Sequence, residues 1–200
     1  AFIVDINNNV IYLDVLCDAI NASNLPYTAL AKLVNQNNYI LDETSKVSEF
    51  FINPMPVNVI WKNTSLTYNG YYQMPNAFIL NELNKLIEID VKGEAKNVST
   101  NNIATAVCKL SNYTISSNEK TNFIINPLVI DIAWGNNKFT YDGDVHYPIA
   151  TPLTLNNEIV ELNYSGQQVN ANEEGYWCLV TLKNLNGNYR LNSNSSHCKY

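Results

Sequence analysis

Two histidines, four cysteines and one recurring glutamate are the side chains of this chain best suited to catalysis or metal binding. Acyl transfer by a Ser-His-Asp or Cys-His arrangement needs a nucleophile, a base and a group that orients the base. The sequence offers no nucleophile elbow, and neither His146 nor His197 recurs where the chain repeats itself; the counterpart of His146 is Gln73. His146 is therefore read as a solvent-exposed residue past a turn. Glu88 does return, as Glu161, but as one carboxylate per copy, whereas glycoside hydrolysis needs two. An outward strand position, or a hydrogen bond to a neighbouring loop, is the reading for both. Cys17, Cys108, Cys178 and Cys198 show no CxxC or paired Cys/His spacing, which argues against zinc. None of the four recurs, so they are read as buried free thiols, with a Cys178–Cys198 bridge as the alternative. There is no glycine-rich phosphate loop and no calcium-loop spacing. These residues predict no catalysis, no cofactor and no metal.

The elements that would position any site repeat along the chain. Residues 51–93 return without a gap at 124–166: Trp61, Tyr68, Gly70, Pro75, Ala77, Glu88 and Gly93 become Trp134, Tyr141, Gly143, Pro148, Ala150, Glu161 and Gly166. About a third of the aligned pairs are identical, which marks copies of one small domain rather than a single fold. The beginning of the chain extends the pattern. Ala1-Phe2-Ile3 matches Ala77-Phe78-Ile79, Asp14-Val15 matches Asp90-Val91, and Asn21 and Ser23 fall on Asn97 and Ser99. Near the other end, Asn112-Tyr113 returns as Asn188-Tyr189, and the strand expected after it barely starts at Lys199-Tyr200. The expected division is 1–50, the C-terminal part of a repeat; 51–124, a whole repeat; and 125–200, a repeat with its last strand cut short.

Within a copy the pattern is strand after strand. Met55, Val57, Val59 and Trp61 alternate with Pro56, Asn58 and Ile60, and Leu128, Ile130, Ile132 and Trp134 do the same. This period of two marks half-buried strands. Tyr68-Asn69-Gly70 and Tyr141-Asp142-Gly143 then predict a tight, hairpin-like reversal, because Asn-Gly and Asp-Gly tolerate positive φ. Pro75 and Pro148 suit an edge or a strand start. Further strands are expected at 86–91, 104–110 and from Phe123, with counterparts at 159–164 and 176–182. The fold class predicted is all-β, mainly antiparallel, as tandem small immunoglobulin-like sandwiches. Phe78, Leu80, Leu83 and Leu86 could line a short helix, so a β-grasp-like repeat with one helix is the alternative. Trp61, Trp134, Tyr68 and Tyr141 are expected to be core and corner residues, with the tryptophans largely buried.

Composition narrows the partners. A net charge of −6 without a lysine–arginine run argues against nucleic acid and anionic membranes, and no stretch approaches the roughly 20 apolar residues of a membrane span.

A strand opening after Ile-Asn-Pro, then Trp, Tyr-(Asn/Asp)-Gly, Pro-x-Ala, a glycine-bounded strand and Asn-Tyr follow in the same order twice. This arrangement resembles the MBG-type (Tyr-Asp-Gly) tandem β-repeats of bacterial cell-surface, adhesin-like proteins. The resemblance implies an extracellular, non-enzymatic module that contacts neighbouring repeats of its own chain, and it carries over no catalytic residue. Three functions fit: a stalk or spacer, a module that binds glycan or host protein, or an accessory region of a secreted enzyme. Tyr71, Tyr72 and Tyr147 do not recur as aromatics and are the candidate ligand contacts.

Overall fold

The computed structural model describes residues 1–34, 38–185 and 187–200. These residues are all-β, with several mostly antiparallel sheets and no α-helix. The strands are β1 (Phe2–Val4), β2 (Val10–Tyr12), β3 (Asp14–Leu16), β4 (Tyr27–Lys32), β5 (Val47–Phe50), β6 (Met55–Asn58), β7 (Ile60–Lys62), β8 (Ser65–Thr67), β9 (Asn76–Leu80) and β10 (Leu86–Lys92). They continue as β11 (Ser99–Val107), β12 (Tyr113–Ser117), β13 (Lys120–Asn126), β14 (Leu128–Ile130), β15 (Ile132–Trp134), β16 (Ala150–Pro152), β17 (Leu162–Ser165), β18 (Trp177–Leu182), β19 (Tyr189–Leu191) and β20 (His197–Lys199). A single 3-10 turn lies at Leu155–Asn157.

The pairings recur at the spacing of the sequence copies. An antiparallel group of three appears as β3-β4-β5, again as β10-β11-β13 inside a six-stranded sheet of order β7-β9-β10-β11-β13-β8, and again as β17-β18-β20. β7 pairs with β9 as β15 pairs with β16, and the bridge Gln73–Ala95 returns as His146–Gln168. Two parallel pairs also match: Met55 faces Tyr113 in β6/β12, and Leu128 faces Tyr189 in β14/β19. A parallel pair needs a long crossover rather than a tight turn, so each strand before the tryptophan is closed by one that arrives dozens of residues later.

Three expectations change. The segment 78–86 is a β-hairpin, not a helix. The Asn81 side chain accepts backbone N–H bonds from Leu83 (3.0 Å) and Lys85 (2.8 Å), and Asn84 takes φ +56°. The β1–β2 turn is built alike: Asp5 accepts from Asn7 and Asn9, both at 2.8 Å, and Asn8 takes φ +64°. A short polar side chain that serves two backbone donors offers the chain an alternative to helix, and the supposed apolar stripe is exposed at Leu83 and Leu86. Tyr68-Asn69-Gly70 does turn, with Gly70 at φ +82°, but β8 pairs in parallel with β13 instead of forming a hairpin with β9. Trp61 and Trp134 are half-buried rather than largely buried; the Trp134 indole N–H donates to the Ser195 carbonyl at 2.8 Å.

The chain forms two compact units, residues 1–59 with 79–90 and 108–119, and residues 60–78 with 91–107 and 120–200. In the first, β1–β2, β3-β4-β5 and β6–β12 form separate small sheets. The second holds a core of Tyr68, Ala104, Phe123, Ile125, Ile130 and Tyr189, and a smaller cluster of Ile132, Ala150 and Val180.

Gly93 and Gly166 are fixed by close approach as well as by φ (+98° and +91°). A Cβ there would stand 2.2 Å from the Ile103 carbonyl oxygen and 2.1 Å from that of Trp177. Gly143 shares the φ of +91° but has nothing within 4 Å. Gly143→Ala should therefore cost about 1 kcal/mol, the penalty of the backbone region alone. Gly93→Ala and Gly166→Ala should each cost about 3 kcal/mol or more, because a strand must also shift. Urea unfolding of the three variants checks the order; equal losses would remove the role assigned to close approach.

Candidate functional site

The most constrained polar arrangement in the second unit is a carboxylate held by two phenols. Glu158 follows the 3-10 turn, where Asn156 and Asn157 occupy positive φ (+49° and +57°) and the Thr154 hydroxyl donates to the Glu158 carbonyl at 2.7 Å. Asparagine visits that region at less cost than most side chains, so the turn can aim the glutamate inward. β8 and the Gly70 turn deliver Tyr68, whose backbone N–H donates to the Asn126 carbonyl at 2.9 Å. β19 delivers Tyr189. The Tyr68 hydroxyl donates to Glu158 Oε1 at 2.8 Å and the Tyr189 hydroxyl to Oε2 at 2.6 Å, with the rings edge to face at 5.5 Å. Both tyrosines are buried.

These contacts set the direction in which each group's proton affinity moves. The Tyr189 and Tyr68 donors hold the Glu158 carboxyl below its usual range, while burial and the adjacent carboxylate push both phenols above theirs. A general base must be able to take a proton from substrate. Glu158 is ionised, but both its oxygens are occupied by donors that keep their protons, so the trio acts as a clamp.

The clamp has a second part. Asn188, just before Tyr189, accepts from the Val98 backbone N–H at 3.0 Å and donates to Asn97 Oδ1 at 3.2 Å. In the first unit, Asn112 accepts from the Ala22 N–H at 2.7 Å and donates to Asn21 Oδ1 at 2.9 Å. Beside it, the Tyr113 hydroxyl donates to Glu82 Oε2 at 2.5 Å. Each glutamate lies 31 residues before its tyrosine. Sequence reasoning missed both acids because the gapless alignment sets Glu158 against Lys85; counting back from Asn-Tyr instead would have found them.

The candidate ligand contacts do not converge. Tyr71 and Tyr72 are exposed at the Gly70 turn, whereas Tyr147 packs on Tyr164 with ring centroids 5.1 Å apart. Tyr141, expected to repeat the burial of Tyr68, is 63% exposed against 2%. His146 is half-buried rather than solvent-exposed; its ring stacks on Phe139 and meets Asp142 Oδ1 at 2.9 Å, and its backbone carbonyl accepts from the Tyr200 hydroxyl at 3.0 Å. Glu88 and Glu161 point outward, and Glu161 pairs with Lys183 at 2.8 Å. Cys108 lies just past β11, half-buried, and Cys17 is exposed. Cys178 is fully buried opposite Cys198 across β18 and β20; all four are free thiols. No group of three or more His, Cys, Asp or Glu side chains stands together as a metal site among the described residues.

No family model, curated protein or solved structure matches this chain.

Tyr68→Phe should cost about 2 kcal/mol, the range for a buried hydrogen bond to a charged group, measured by urea unfolding; a loss under about 0.5 kcal/mol would remove the clamp from the stability argument. A pH series gives an independent check. The folded Glu158 pKa is depressed, so its contribution is present above the unfolded value of about 4.3 and is lost as pH falls through the folded one. The folded pKa values of Tyr68 and Tyr189 are raised, so their contribution is present below about 10 and is lost as pH rises beyond that. Thermal stability should hold near neutrality and decline on both sides, with a shallower acid limb in Tyr68→Phe.

Proposed function

We propose that the chain is a non-catalytic run of tandem immunoglobulin-like β-repeats, of the MBG type that its sequence resembles, serving as a stalk or spacer in a secreted or cell-surface, adhesin-like protein. The observation that carries this reading is the recurrence of one joint. Asn112 ties to Asn21 and Ala22 as Asn188 ties to Asn97 and Val98, at spacings of 90 and 91 residues in both instances. Residues in one sequence copy are thereby fastened to the next, and the most constrained polar groups are spent on holding copies together. Asn126-Pro127 between β13 and β14 supports stiffness, since proline fixes φ where one copy passes into the next. The partners of this reading are neighbouring repeats of the same chain.

A binding role for glycan or host protein draws on the exposure of Tyr71 and Tyr72 at about two-thirds of their surface. Exposed aromatics of this kind suit stacking on sugars, and loss of glycan-array binding in Tyr71→Ala/Tyr72→Ala would favour that role.

Small-angle scattering tests the stalk. A compact 200-residue globule has a radius of gyration of roughly 16 Å. The stalk reading expects a value well above this and a rod-like distance distribution, and a compact particle would overturn it.

A further inference from the structure

A cleft of about 680 Å³ opens in the second unit between Asn137–Tyr141 and Gln168–Tyr176, with Tyr200 on its floor. Its walls match the assembled joint position by position. Tyr141 is the counterpart of Tyr68, and Phe139 of Leu66. Asn170-Ala171 follows Gly166 at the spacing by which Asn97-Val98 follows Gly93. In the assembled joint, Ser65–Thr67 pair in parallel with Ile124–Asn126, the Tyr68 hydroxyl reaches Glu158, and Asn97 and Val98 hold Asn188. In the cleft, residues 138–140 form no strand, and Tyr141 and Ala171 are exposed with no hydrogen-bond partner among the described residues. A Cβ on Gly70 would stand 3.6 Å from Asn156 Nδ2, whereas one on Gly143 would have nothing within 4 Å.

We propose that this cleft is the seat for a further repeat of the same kind: one that presents an Ile-Ile-Asn strand, a glutamate and an Asn-Tyr pair. The strand adds in parallel to Asn137–Thr140, the glutamate accepts the Tyr141 hydroxyl, and the asparagine accepts the Ala171 N–H while donating to Asn170. Main-chain bonds of strand addition supply affinity and the two polar pairs supply register. The register follows from the sheet. Ala104 faces Thr121 and Cys178 faces Cys198, while Gly93 and Gly166 abut Ala104 and Cys178. Tyr200 therefore stands where Phe123 stands, and a strand for residues 138–140 must begin one residue further on.

This inference rests on the repeat reading, and a test separates the two. A copy of residues 124–200 is joined after Tyr200, and amide exchange is compared with that of the 200-residue chain. Filling of the seat should slow exchange at Phe139, Tyr141 and Ala171 by about 100-fold or more, since buried ladder amides exchange only through opening. In the extended chain, Tyr141→Phe should lower stability as Tyr68→Phe does; in the 200-residue chain it should have no effect. If the added copy is protected in its own strands while Tyr141 and Ala171 exchange as before, the seat is refuted and the repeat reading stands. An added copy that stays unprotected throughout would overturn both. Protection of Tyr141 that rises with concentration in the unextended chain would assign the seat to a second molecule, and would overturn the proposal.

Discussion

The Glu158 carboxylate is the group on which the second unit depends. Two tyrosines from distant parts of the chain, Tyr68 and Tyr189, are buried with their hydroxyls inside the fold, and a buried hydroxyl without an acceptor costs a few kcal/mol. One carboxylate satisfies both, and the ionised state supplies an acceptor for each donor. This fixes three elements at once: the 3-10 turn that carries the acid, β19 that carries Tyr189, and the segment after β8 that carries Tyr68. Replacing the trio by apolar side chains could preserve burial, but it would not specify which strand lies beside which. Polar pairing is better attested as a device for register than as a source of net stability.

That role matters because the strands are short. Many have only three residues, and the first fifty residues contain no fully buried side chain among those described. Domains of about 75 residues bury only around 60% of their unfolded surface and are marginal alone. The main core answers this by drawing Tyr68, Ala104 and Phe123 from one sequence copy together with Ile125, Ile130 and Tyr189 from the next. Burial that a single copy cannot supply is thus obtained across the junction between copies. The compact units accordingly interleave along the sequence instead of following it in blocks. The cost is kinetic: parallel pairs such as β6 with β12 close long loops before any contact rewards them.

Much of this could be read from residue types, and what could not has physical reasons. Period-two alternation located β6, β7, β14 and β15, and Gly93 and Gly166 marked strand ends, though not the neighbouring strand that approaches each of them. A helix at 78–86 stayed open as an alternative because Phe78, Leu80, Leu83 and Leu86 mimic a helical stripe, while the deciding feature is the Asn81 side chain serving two backbone donors. Parallel pairing of β8 was invisible, since an Asn-Gly turn reports a reversal of the chain but not which strand lies beside it. The clamp was hidden for another reason. Glu82 and Glu158 keep their distance from the following tyrosine, not from the preceding tryptophan, so an alignment anchored on Trp61 slides past them.

The pair Tyr68 and Tyr141 shows what recurrence in such a chain measures. Two residues identical in type and set in similar local sequence differ from 2% to 63% in exposure, and the difference tracks the presence of a carboxylate and a strand from the next copy. A residue kept for its own domain's core should be buried in every copy. One that is buried only where a neighbour follows is kept for the contact between copies. Asn21, Asn97 and Asn170 behave alike in another respect: the first two accept from an asparagine of the following copy, and the third has no such partner among the described residues. Recurrence therefore indexes the joints as much as the domains.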